Sequence, residues 1–168
     1  MTDDRSAGQQ SSPEHELLWD EGDLEEIDPE ECWTLLATRP VGRVAVIVGQ
    51  YASVFPVNYA LDGRSVVFRS GAGTKLWALD RSNVTFQADH VDVAHRGGWS
   101  VMIKGVGQEV SVENNPNLAA RSRAAGADPW APGPRSRLVR VVADEITGRR
   151  IRLGALPRRR PAPDHRDL

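Results

Sequence analysis

The sequence predicts a mainly β protein with a few short helices, its six antiparallel strands able to close into a small barrel. Three observations predict this. Strand-length runs rich in β-branched residues recur from residue 42 to residue 152. Turn residues separate them, above all the Asp62-Gly63 dipeptide, a hairpin signal because both residues tolerate the dihedrals of a tight turn. The helical patterns between the strands are short, and sequential hairpins favour antiparallel pairing.

Each element follows in order. Asp28-Pro29-Glu30-Glu31 opens a helix, with Asp28 as N-cap, proline in the first turn and acids at the positive end of the dipole. Cys32, Trp33, Leu35 and Leu36 give it an apolar face, and Pro40 ends it. Residues 42–49, 52–61 and 64–70 form a three-stranded meander. After Gly71-Ala72-Gly73, a helix over 74–82 shows Lys75, Leu76, Trp77 and Leu79 at helical spacing. Residues 83–91 make a fourth strand and 99–112 a fifth, where Gly105 and Gly107 predict a bend or bulge. A helix over 116–125, a Pro/Gly-rich loop over 128–136 and a last strand over 138–152 complete the pattern.

Length and charge bound the function. With 168 residues the chain is one domain on size. Residues 1–31 hold twelve acids and one base, while residues 135–168 hold ten arginines and four acids. Charge without apolar periodicity predicts a disordered acidic tail over 1–22 and a disordered basic tail over 156–168, flanking a folded domain over 23–155. The basic end has no interleaved aromatics, so no nucleic-acid partner is expected. No apolar run spans a membrane and the polar N-terminus is no secretory signal, so the expected location is cytoplasmic.

The single cysteine, Cys32, excludes an intrachain disulfide and reads as a buried structural thiol. Asp89, His90, Asp92 and His95 cluster within seven residues, but without standard zinc spacing they read as a solvated loop, and no metal is expected. Trp33 and Trp77 read as core; Trp99 reads equally as core or as a stacking surface.

The stronger constellation is Phe68-Arg69-Ser70-Gly71-Ala72-Gly73-Thr74-Lys75. A strand ends, small residues turn the chain, and a helix begins with unpaired N–H groups and a favourable dipole. Arg69, Ser70, Thr74 and Lys75 add donors, and Lys75 is one of only two lysines in the chain. That is the arrangement a phosphate monoester needs, though the spacing is not that of a Walker loop.

The segments PVNYALDGRSVVFRSGAGTKLWAL and FQADHVDVAHRGGWSVMIKGVGQEV, in that order and spacing, resemble the cofactor-binding core of the pyridoxamine 5'-phosphate oxidase-like flavin proteins. Within that superfamily they look most similar to the branch of the nitroimidazole-resistance reductases. The resemblance covers about residues 25 to 152. It implies a split β-barrel that works as a homodimer, with two flavins at the interface. By resemblance, Arg69, Ser70, Thr74 and Lys75 hold the phosphate of FMN. Pro56, Val57 and Asn58 match the strand whose backbone lies along the flavin ring, and Gln87, Trp99 and Ser100 close the site from the second subunit. The implied function is an FMN-dependent oxidoreductase acting on a small-molecule substrate, with NAD(P)H as a candidate electron donor. The alternatives are a deazaflavin-dependent reductase and a non-catalytic flavin- or haem-binding module. Arg149, Arg150 and Arg152 stand near the C-terminus without the Arg-x-His arrangement that binds substrate in the pyridoxamine phosphate oxidases proper, which counts against that activity. The absence of a conspicuous acid–base pair fits a protein whose cofactor carries the electrons.

Overall fold

The computed structural model describes residues 24–71 and 79–151. Both terminal tails, and Thr74, Lys75 and Trp77, lie outside the described residues. The described chain runs β1 (Leu24–Ile27), α1 (Pro29–Leu36), β2 (Val41–Val48), β3 (Tyr51–Leu61), β4 (Ser65–Ser70), β5 (Asn83–Asp92), β6 (Gly97–Val110), α2 (Pro116–Ala124) and β7 (Arg137–Ile151). No helix among the described residues is long and apolar enough to cross a membrane.

The strands form one antiparallel sheet in the order β1-β7-β4-β3-β2-β5-β6, and β6 also pairs with β7. The ring of β2 to β7 is therefore a six-stranded barrel, the class the sequence predicts. The four-residue β1 is an addition the sequence did not announce. It continues one edge of β7, because β4 occupies Arg137–Val142 and β1 occupies Gly148–Ile151. The other edge of β7 pairs with β6 from Leu138 to Ile151. The predicted irregularity at Gly105 is a register shift between Lys104 and Gly105. A β-carbon there would lie 1.9 Å from the Val142 carbonyl oxygen, so only glycine lets the strands approach this closely.

Local chemistry explains the short helices. The Asp28 carboxylate caps α1 by accepting the Glu30 N–H at 2.8 Å, and the Asn115 side chain caps α2 through the Leu118 N–H at 3.0 Å. Helix α1 turns Cys32 and Leu36 fully inward. The Cys32 thiol donates to the Ile27 carbonyl at 3.7 Å, and burial pushes its pKa up, in keeping with a structural thiol.

Alternate residues fill the barrel. Val44, Phe68, Phe86, Val101, Ile103 and Val141 form its centre, with Tyr59 and Phe86 edge to face at 4.7 Å. The Tyr59 hydroxyl donates to the Leu36 carbonyl at 2.6 Å and so ties α1 to β3. A second, smaller cluster of Val67, Val110, Ala119 and Leu138 lies where α2 covers β4 and β7. It fixes where the chain goes next: the loop after α2 is laid beside the end of β4.

Candidate functional site

Strand β4 alternates between the two clusters. Val66 and Phe68 enter the barrel, while Val67 faces α2. Arg69 therefore follows Val67 on the outer face, opposite Leu138 of β7. Its Nε donates to the Ala127 carbonyl at 3.2 Å. It lines a polar cavity of about 340 Å³ with Gly126, Ala127, Asp128, Pro129, Ala131, Gly133 and Arg135. Ser70, next in the chain, is 2% exposed, and its hydroxyl donates to the Gly71 carbonyl at 3.2 Å. A β-carbon on Gly71 would come within 3.5 Å of the Pro134 carbonyl oxygen, so the strand end rests against the same loop.

Pro56, Val57 and Asn58 stand beside this opening. Strand β3 pairs with β4 only at Tyr59, Ala60 and Leu61, opposite Phe68, Val67 and Val66. One further step of that register aligns Asn58 with Arg69. Among the described residues, β3 at Pro56–Asn58 pairs with a strand on one side only, which is β2. Val57 itself points into the core. Asn58 works in both directions: its Nδ2 donates to the Pro40 carbonyl at 3.3 Å, and its Oδ1 accepts the Trp130 N–H at 2.9 Å. It pins the loop of residues 126–135 to the sheet.

Gln87, Trp99 and Ser100 belong to a different opening. They line a groove of about 740 Å³ together with Arg43, Asp89, Arg149 and the apolar residues Leu24, Val91, Val93 and Ile151. This groove shares no lining residue with the Arg69 cavity. Arg43 Nη1 donates to Asp89 Oδ1 at 2.6 Å and to Gln87 Oε1 at 3.3 Å, while Gln87 Nε2 donates to Asp89 at 3.0 Å. The Gln87 amide is thereby held in a closed triangle. Trp99 lies between His90 of β5 and Arg150 of β7, and Ser100 between Asp89 and Arg149. Trp99 packs partly against the core while also lining the groove. Arg43 is the link between the two groups, since it lies opposite Pro56 on one side and Gln87 on the other.

The acidic loop has internal partners. His95 Nδ1 lies 2.8 Å from Asp92, whose carboxyl is held below its usual range first by that side-chain hydrogen bond. Asp89 is taken by Arg43. Among the described residues no group of three or more His, Cys, Asp or Glu could hold a metal.

Two residues escaped sequence reasoning. Arg43 sits on a strand face with no motif around it. Arg135 sits in a loop whose Pro/Gly content advertises irregularity and nothing more. The usable signal for Arg135 was proximity to α2, which covers the outer face of β4.

The fold defines a six-stranded barrel with a polar cavity at the end of β4 and a separate, largely apolar groove between β5, β6 and the end of β7. Residues 28–150 match the family described as pyridoxamine 5'-phosphate oxidase, and the chain belongs to that family. An uncharacterised protein of Mycobacterium tuberculosis is 32% identical over 133 residues, covering 75% of this chain and 84% of its own length. A solved structure of an FAD binding protein from Mycobacterium smegmatis is 33% identical, with a TM-score of 0.58 over 77% of this chain and 99% of that one. A candidate pyridoxamine 5'-phosphate oxidase from Corynebacterium glutamicum is 28% identical, with a TM-score of 0.67 over 79% of this chain and 96% of that one. For the fold alone, a candidate 5-nitroimidazole antibiotic resistance protein from Bacteroides thetaiotaomicron matches at 16% identity and a TM-score of 0.57, over 77% of this chain and 90% of that one.

Proposed function

We propose that the chain is a flavin-binding oxidoreductase that works as a homodimer in the cytoplasm. The observation that carries the reading is the setting of Arg69. One Nε–carbonyl bond orients its guanidinium beside a polar cavity that Asp128 also lines, and no carboxylate lies within ion-pair distance of it among the described residues. A planar guanidinium held this way suits bidentate contact with a phosphate. The phosphate at the end of a flavin's ribityl chain fits there, with Thr74 and Lys75 as further donors. The edge of β3 at Pro56–Asn58 with no paired strand among the described residues then suits the polar edge of the ring.

The second half of the reading is assembly. Gln87, Trp99 and Ser100 line an opening separate from the phosphate cavity of their own chain. In a two-fold dimer the groove of one copy would close over the ring held by the other. The outer face of the barrel supports such an association. Ile47 is 65% exposed and pairs with Ala52, and Val54 is 59% exposed and pairs with Ala45, so an apolar strip lies open to a partner. The relative that binds FAD supports the flavin class.

A bound flavin would supply hydride and electron transfer. The chain's own part is to hold the phosphate at Arg69, to orient the ring along β3, and to exclude water with the apolar rim of the groove. The test is an absorbance spectrum of the purified protein, followed by NAD(P)H and air. Flavin maxima that bleach with NAD(P)H and return on oxidation support the reading. A single deazaflavin band, a haem Soret band, or a colourless protein that takes up no added flavin sinks it.

A further inference from the structure

The groove of about 740 Å³ is lined by four apolar side chains that stay in solvent: Leu24, Val91, Val93 and Ile151 are all exposed, Val93 to 82%. Apolar side chains gathered in this way mark a surface that something covers. The same lining holds charge. Its arginines are Arg43, Arg96 and Arg149, against the acids Asp89 and Asp92. Arg43 is paired with Asp89, Arg149 with Glu26, and Asp92 with His95. Arg96 is exposed and has no carboxylate within ion-pair distance among the described residues.

Strand register places a chain end at this groove. Ile151 of β7 stands opposite Leu24 of β1 on one side and Gly98 of β6 on the other. The β5–β6 hairpin continues past that row through the pairs Val91–Gly98 and Asp92–Gly97, to the turn that carries Val93 and Arg96. Strand β1 is entered from the same end, so the 23 residues before Leu24 join the fold at the groove itself.

The sequence of those residues complements the lining. Between Met1 and Leu24 the large apolar residues are Leu17, Leu18 and Trp19, which are consecutive, and Asp20, Glu21 and Asp23 follow them. Trp19 is five residues from Leu24, a reach of about 17 Å for extended chain, so all three apolar side chains fall within range of the groove. The segment after Ile151 starts at the same place, but its Arg152, Arg158, Arg159 and Arg160 have the sign of the unpaired Arg96. We propose that residues 17–23 occupy the groove of their own chain. Leu17, Leu18 and Trp19 cover Val91, Val93 and Ile151, and Asp20 or Glu21 meets the Arg96 guanidinium. The groove then carries a built-in occupant, which a small molecule has to displace in order to enter. This goes beyond the flavin reading and does not depend on it.

The test is a disulfide cross-link in the full-length protein, since two cysteines join only when their Cα atoms come within about 7 Å. Cys32 is fully buried and stays out of the exchange. Leu18→Cys combined with Val93→Cys, under a mild oxidant, is expected to link within one chain at least tenfold faster than Asp4→Cys combined with Val93→Cys. Adding Arg96→Gln to the first pair is expected to slow the link at least threefold. As a second readout, the triple variant Leu17→Ser, Leu18→Ser, Trp19→Ser is expected to bind the apolar dye anilinonaphthalene sulfonate with at least threefold more fluorescence than wild type, a thermal melt confirming its fold. Equal rates for the Leu18 and Asp4 pairs overturn the proposal, as does unchanged dye fluorescence. A link that forms between chains assigns the groove to a second copy's segment and overturns the own-chain assignment. So does a faster link from Leu156→Cys to Val93→Cys, which would make the basic segment the occupant. A rate unaffected by Arg96→Gln overturns the charge contact. No readout needs a bound flavin, so failure here leaves the flavin reading standing, and a protein that binds no flavin leaves this proposal standing.

Discussion

Two groups of arginines meet the outer face of β4 and β7, and they differ in a single respect. Arg140 and Arg121 share the Asp62 carboxylate, whereas Arg69 and Arg135 donate Nε to carbonyls and have no carboxylate within ion-pair distance among the described residues. Arg140 is opposite Val67 and Arg69 is opposite Leu138, so the two lie on the same face and are neighbours in the register. The Arg140 and Asp62 side chains are only 10% and 12% exposed, and Arg140 also donates to the Asp62 carbonyl at 3.2 Å. Arg121 of α2 reaches the same carboxylate at 3.1 Å, and Ser122 at 3.4 Å. That group is saturated: it clamps the β3–β4 turn to α2 and β7. The other group is aimed and unsaturated. The difference teaches that on this face a carboxylate within ion-pair distance, not the presence of an arginine, marks a fastening.

The largest expected effect breaks the saturated group. Asp62→Ala leaves the Arg140 charge buried without its partner, and removing one member of a buried pair costs about 3–5 kcal/mol. Urea denaturation should show a loss of that order. A loss below about 1 kcal/mol would mean that Arg140 finds water or another acceptor, and the contrast between the two groups would fail.

The next effect falls on the unsaturated group and should separate binding from stability. Arg69→Gln keeps a side chain that can satisfy the Ala127 carbonyl but removes the charge. Flavin affinity should fall by about 1.5–3 kcal/mol, the worth of a charge-assisted hydrogen bond, roughly tenfold to a hundredfold, while the denaturation midpoint barely moves. A large fall in stability with unchanged affinity would reverse the roles assigned to the two groups.

These contrasts also show what the sequence could reveal. The strands were legible because their β-branched runs and turn residues are local signals, and Asp28 and Pro29 announced α1 in the same way. The strand end at Arg69 and Ser70 was legible because a small-residue turn follows it. Strand β1 was not, since Leu24–Ile27 is a short acidic stretch whose strand character comes only from pairing with Gly148–Ile151. Arg135 and Arg140 were not separable by sequence either. Both are arginines near the start of the last strand. Only the long-range placement of Asp62, 78 residues from Arg140, makes one of them structural.

Acid should narrow the contrast from the other side. Burial raises the Asp62 carboxyl, but the hydrogen bonds and charges of Arg140 and Arg121 outweigh it and hold the group below its usual range. A depressed folded pKa means the stabilisation is complete above the unfolded value of about 3.9 and is lost as pH falls through the folded value. Wild type should therefore exceed Asp62→Asn in stability at pH 6, and the gap should shrink toward pH 3. The change is smaller than in Asp62→Ala, because a protonated carboxyl still fills the space and accepts a hydrogen bond. A gap independent of pH would show that the carboxylate charge plays no part.

The smallest effect tests whether the saturated group is one unit or a buried pair with an ornament. Arg121 contacts the same carboxylate as Arg140, at hydrogen-bond distance through Nε, but its side chain is 64% exposed. Water screens it, and holding a long exposed side chain in one rotamer costs entropy. Exposed pairs are worth about 0.2–1 kcal/mol for these reasons. Arg121→Ala should therefore cost no more than that, and added salt should reduce the difference further, since only the exposed contact is screened. The double variant with Asp62→Ala should be no worse than Asp62→Ala alone, because Arg121 has nothing left to hold. Should Arg121→Ala prove as costly as Asp62→Ala, the two arginines act as a coupled pair on one carboxylate. Burial would then no longer be what ranks them.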